Sequence, residues 1–235
     1  VSFRIILLVI GVAAAAIGFF LFLGNGGEAL WLIHAQAAHV IGGYGDNLCY
    51  DGLNVRPIDG NLVLRLASDG TGTLDLSATT TSTSGPLRIS ETDEISGTIT
   101  LSARLDDTSQ IKQGIKIHGD TKNGNPILPE TSALIEGDGS FDVYINGILR
   151  YRGLHGEWSV ADAVRKDDGS IRQSGLVYSP LLRDKTGFSD PARKEFTLLL
   201  HSDTADANNK PAYSIVLQLV FSDVTIDKQP KPAAQ

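Results

Sequence analysis

"NLVLRLASDGTGTLDLSA", residues 61–78, sets leucines at every second position on both sides of one turn signal. Leu62, Leu64 and Leu66 alternate with polar or exposed positions, Asp69-Gly70 supplies the turn, and Leu74 and Leu76 run back. Successive side chains of a strand point to opposite faces, so this spacing predicts a β-hairpin with its leucine side on a core. The same texture continues outward. "ISGTITLSARL" (95–105) places Ile95, Ile99, Leu101, Ala103 and Leu105 on one face, and "IKQGIKIHG" (111–119) reads as the next strand. "ALIEGDGSFDVYINGILRYRG" (133–153) has two turn signals, Asp138-Gly139 and Asn146-Gly147, which predict a three-strand meander. "EFTLLLHS" (195–202) and "AYSIVLQLVFSDVTI" (212–226) form the expected last pair, joined by the polar "DTADANNKP". The final strand is apolar on both faces, as a strand covered on both sides requires. Ten to twelve short strands predict an antiparallel β-sandwich or jelly-roll-like domain over 44–227, followed by a Pro-rich tail, 228–235.

Two stretches interrupt that texture. "SATTTSTSGP" (77–86) reads as a Ser/Thr-rich loop or edge strand, and Val160 to Pro191 as a long excursion with one helical turn at "VADAVRK". Long loops on a β scaffold are common binding surfaces.

The N-terminal end is different. From Ile5 to Leu23 nineteen residues carry no polar side chain, and a helix of that length spans roughly 28 Å, close to the thickness of bilayer hydrocarbon. The A-x-A site Ala35-Gln36-Ala37 lies well beyond the apolar run, so a membrane anchor over 1–24 is expected rather than a cleaved signal. Arg4 precedes the run and no Lys or Arg follows until Arg56. The positive-inside bias then puts the N-terminus in the cytoplasm and the remainder in the periplasm or outside the cell. Gly11, Ala15 and Gly18 form a stripe of small residues that would let another helix approach closely, through self-association or with other membrane subunits. "NGGEALWLIHAQAAHVIGG" (25–43) reads as a second, short apolar helix, with Asn25 and Glu28 as a capping box and Gly42-Gly43 as its stop. Within it His34 and His39 are candidate ligands for a haem or pigment metal, although a spacing of five separates them by about 140° on a helix. No cofactor is predicted from them.

Charge and chemistry narrow the rest. With 20 basic and 27 acidic residues among 235, the net charge is −7, the wrong sign for a nucleic-acid partner. The one cysteine, Cys49, has no internal disulfide partner and reads as a small buried hydrophobe. No nucleophile elbow, phosphate loop, dinucleotide fingerprint or HExxH helix is present, so no enzyme is expected. "EGDGSFD" and "DTADANN" carry oxygen ligands without the terminal Glu of a calcium loop, and read as turns. His118 and His201 each end a predicted strand, and His155 in "GLHGEW" could join them as metal ligands. Trp158 beside Tyr151 and His155 could form a sugar-stacking platform, but reads better as a core residue. "IKIHG" and "LLLHSDT" resemble segments of CHRD domains, which are extracellular β-sandwich modules. The Gly-Glu-Ile-Arg-Gly that follows the second His there is replaced by "PAYSIVLQL", and the family is not assigned. The expected function is therefore a non-enzymatic, single-span accessory subunit of a membrane assembly. The alternative is an extracytoplasmic metal- or ligand-binding module built on loops near His118, His155 and His201.

Overall fold

The computed structural model describes residues 30–43, 55–117, 131–170, 189–205 and 211–228. They form a mainly β protein, and its eight long strands close into an antiparallel barrel. The wall runs β1 (Trp31–Gly43), β3 (Asp59–Leu66), β4 (Gly72–Thr79), β7 (Thr98–Leu105), β9 (Thr131–Ile145), β10 (Ile148–Ala163), β11 (Asp190–Ala205) and β12 (Pro211–Lys228). β12 then pairs with β1, for example Ile33 with Ile226 and His39 with Val220. Each wall strand lies beside the next one in the chain, and the first–last pair removes the free edges that an open sheet would expose. Three short strands and a longer one complete the set. β2 (Arg56–Pro57) pairs with β1, β5 (Leu87–Arg88) with β6 (Glu94–Ile95), and β8 (Lys112–Ile117) with the first half of β9.

The expected hairpin is β3–β4. Leu62 faces Leu76 and Leu64 faces Leu74 across the pair, and all four point into the barrel at 0–2% exposure. The turn holds because Gly70 adopts a φ of 82°, which costs glycine no Cβ clash. The Asp69 carboxylate accepts from the Thr71 amide (2.9 Å) and hydroxyl (2.7 Å).

Side chains fill the barrel. Trp158 stacks on Phe196 (centroids 6.1 Å apart, 4° between planes), and Phe196 meets Phe221 edge-on at 6.2 Å. The Phe141 ring lies against backbone, since a Cβ on Gly156 would come within 2.5 Å of it. These residues are at 0–2% exposure, and a void large enough for water would leave its lining exposed. Burying each such side chain is worth about 1.5–3 kcal/mol. One end is closed by the β5–β6 hairpin, whose Leu87, Ile89 and Ile95 belong to the core. That hairpin is tied to β12 by the Val216 amide donating to the Ile89 carbonyl (2.9 Å). It is tied to the start of β10 by Asp93, which accepts from Arg150 (2.8 Å) and from the Tyr151 hydroxyl.

Several expectations are corrected. The β-domain is a closed barrel, not a sandwich or jelly roll. Residues 31–43, read as the second half of a helix, are wall strand β1. Its even apolar character arises because both faces are covered beyond Ala37, where a φ of 53° lets the strand change face. Asp138-Gly139 is not a turn but lies inside the fifteen-residue β9; its glycines leave room for the rings of Trp158 and Phe141. Asn146-Gly147 is the turn, with φ values of 51° and 78°. The first four residues of "VADAVRK" continue β10 to Ala163, and no helical turn follows over Val164–Lys166. The run Ile5–Leu23 with Gly11, Ala15 and Gly18, together with Cys49, His118 and residues 229–235, lies outside the described residues. Among those described, no helix is long and apolar enough to cross a membrane.

Candidate metal centre on the barrel wall

Gly156 and Trp158 are buried on the inner side of β10, so alternation turns His155 and Glu157 outward. In β11, Leu198 and Leu200 point inward and His201 faces the other way. The antiparallel register sets His155 directly opposite His201, and Glu157 opposite Leu199. The two imidazoles meet edge to face with centroids 5.1 Å apart, and His155 Nε2 stands 3.9 Å from Glu157 Oε1. One ligand atom from each of His155, Glu157 and His201 lies within 4.8 Å of the others. Bonds of about 2.0–2.2 Å to a tetrahedral ion would bring such atoms to roughly 3.4 Å apart. The two half-exposed side chains, His155 and Glu157, can swing inward to close that gap, while His201, 4% exposed, is held by its surroundings. Two neutral nitrogens and one carboxylate on the outside of a wall leave the remaining coordination positions toward solvent.

The other sequence candidates separate. His118 lies outside the described residues. His34 is on the exterior of β1, with Nε2 3.3 Å from Asp227 Oδ2. His39 is buried farther along β1, and burial holds its pKa below the ordinary value against the opposing pull of the Ala37 backbone and Asp168. Five residues of extended strand put roughly 16 Å between these two histidines, too far to share one ion. Trp158 is core, as the sequence suggested, and its indole donates to the Asp138 carbonyl at 3.4 Å. Glu157 was missed. Its signal was the H-x-E spacing of "HGE", which has meaning only once 155–163 is known to continue as strand.

No family model, curated protein or solved structure matches this chain. The site is therefore read from its own geometry.

A second polar cluster sits on the outer side of β11. Glu195 is buried and accepts from the backbone amides of Val164 (3.2 Å) and Arg165 (3.1 Å). The Arg165 guanidinium, also buried, donates to the Gly169 carbonyl at 2.8 Å. Burial pushes the Glu195 carboxyl up to about 6, against the lowering effect of Arg165 and the two amides. Gly169 in turn rests on His39, since a Cβ there would come within 2.9 Å of the ring. The bonds made by Glu195 and by Arg165 Nη1 pin the turn over 164–170 to the wall.

Proposed function

We propose that the protein is a non-enzymatic, membrane-tethered accessory subunit whose barrel binds one divalent transition-metal ion through His155, Glu157 and His201. The observation that carries this reading is the convergence of those three side chains on adjacent strands. The filled interior supports it by leaving the exterior as the place for a ligand. Imidazole with carboxylate suits zinc, copper, iron or nickel ions in their divalent states. The tether is the apolar run Ile5–Leu23, and the flanking charges favour a barrel on the far side of the cytoplasmic membrane. The stripe Gly11, Ala15 and Gly18 favours helix packing with other membrane subunits or with a second copy.

The test is a zinc titration of the full chain in mild detergent after chelator treatment, followed by calorimetry. One ion per chain is expected. Replacing His201 or His155 with Ala should weaken binding by at least about 100-fold, more than the 10–100-fold typical of changes one layer out from the ion. A parent protein that takes up no stoichiometric zinc, copper or nickel overturns the metal reading. Variants that bind as tightly as the parent move the ion elsewhere.

A further inference from the structure

We infer that Asp138 is a supporting carboxylate of this centre, outside the 4.8 Å group formed by His155, Glu157 and His201 but directly opposite Glu157, and that it adds a second negative charge matched to a dipositive ion. The inference rests on the metal reading above and adds to it a residue and a charge. Asp138 on β9 is the register partner of Glu157 on β10, just as Ser140 is of His155. Directly opposed residues of an antiparallel pair face the same side, with Cβ atoms about 4.5–5.5 Å apart, and like charges in that relation are destabilising. The usual remedy would be a basic side chain between them. Among the described residues Glu157 has only the His155 imidazole, at 3.9 Å, and Asp138 has no ion pair. Lys112 is engaged with Glu136 at 3.2 Å, and Arg104 stands opposite Ser140, one outward position away from Asp138. The Asp138 side chain makes no hydrogen bond with a described residue; only its carbonyl is used, by the Trp158 indole.

That indole hydrogen bond fixes the Asp138 backbone beside the centre while leaving its carboxylate available. A half-buried Asp and an exposed Glu, facing one another next to two imidazoles, carry a charge of −2 when ionised. A dipositive ion neutralises it; a monovalent one leaves a residual charge. The donor set of two nitrogens and one carboxylate oxygen favours borderline divalent ions such as zinc, and disfavours monovalent copper, which prefers sulfur. Asp138 orients Glu157 across the strand pair and balances the charge of the ion, so metal binding weakens when its carboxylate is lost.

Asp138→Asn, with Asp138→Ser as a second variant, separates this from a merely structural role. In the metal-free full chain the melting temperature should hold or rise, because the opposed charges are relieved. Zinc affinity should fall about 10-fold or more, the effect typical of a supporting carboxylate, and the zinc-induced rise in melting temperature should shrink. Glu136→Gln, one outward position along the same strand, should leave zinc affinity unchanged. If the parent binds zinc and both Asp138 variants bind it equally well, the role of Asp138 is overturned while the centre stands. If the parent binds no ion, the centre itself falls. A metal-free Asp138→Asn protein that melts well below the parent, with unchanged zinc affinity, makes Asp138 structural and also overturns the inference.

Discussion

Glu195 and His39 lie under the same short turn, and burial drives their protonation in opposite senses. Glu195 is raised from 4.5 to about 6 by burial, so the folded state holds its proton more tightly than the unfolded chain. Between those two values the folded protein binds the extra proton, and stability must fall as pH rises. The full span is worth about 2 kcal/mol at 1.36 kcal/mol per pKa unit. His39 is lowered from 6.5 by burial, so its contribution is present above 6.5 and is lost as pH falls below it. The lowered aspartates, Asp69, Asp93, Asp106 and Asp168, act only below 3.8. Glu195→Gln should therefore remove the downward slope in urea midpoints between pH 4.5 and 6. What remains is the upward slope of His39. Below about pH 6 the folded Glu195 already holds its proton, so Gln takes little charge away from Arg165 in this window. Identical slopes in parent and variant would refute the assignment. The sequence singles out His39 only as a candidate metal ligand and does not single out Glu195, because the burial of both depends on where residues 164–170 fold back. "EFTLLLHS" reads as a strand whatever its first residue meets.

At the scale of elements, local pattern was legible where one face is core and the other is water. β3, β4 and β7 alternate cleanly, and their registers follow from leucine positions and one Asp-Gly turn. β1 and β12 were harder for the opposite reason. His39 and Ile41 on β1, and Gln218 and Val220 on β12, are buried on the outer side, so alternation fades. A run apolar on all sides reads equally well as helix. The β1–β12 pairing also joins residues about 180 apart in the chain, and no local signal announces it. The metal pair was half legible: His201 was singled out at the end of a predicted strand and His155 as a ligand that could join it, but their juxtaposition needs the β10–β11 register. A direct consequence concerns truncation. The sequence alone predicts that a chain starting near Tyr44 is a soluble, monomeric domain. The barrel predicts otherwise, because removing β1 uncovers the edges of β3 and β12 together with the core beneath Ile33 and Val40. That fragment should aggregate or run as higher oligomers in size-exclusion chromatography, with a loss of cooperative melting. A monomeric, cooperatively melting fragment would show that β1 is dispensable.

For the whole molecule, polarity and the positions of the strand ends decide how the barrel can be carried. A barrel that crosses an outer membrane is apolar outside and polar within. Here the inward positions are leucine, isoleucine and aromatic, while the outward positions of β7 are Thr100, Ser102 and Arg104, all exposed. The outer face of β7 is thus built to face water, the reverse of the pattern of a membrane-crossing barrel. Leu32 near the start of β1 pairs with Lys228 at the end of β12, which puts the first and last described strand ends side by side. The β9–β10 turn, with Ile148 at 66% exposure, lies at the other end of the barrel. A tether entering through residues 1–29 would therefore leave Ile148 pointing away from the membrane. With the N-terminus in the cytoplasm, as Arg4 favours, that turn faces the outside. In a Cys49→Ser background, Ile148→Cys should react with a membrane-impermeant maleimide in right-side-out cytoplasmic-membrane vesicles as completely as after lysis. Labelling confined to lysed vesicles would put the barrel in the cytoplasm and, with it, the His155–Glu157–His201 centre in a compartment of tightly buffered metal.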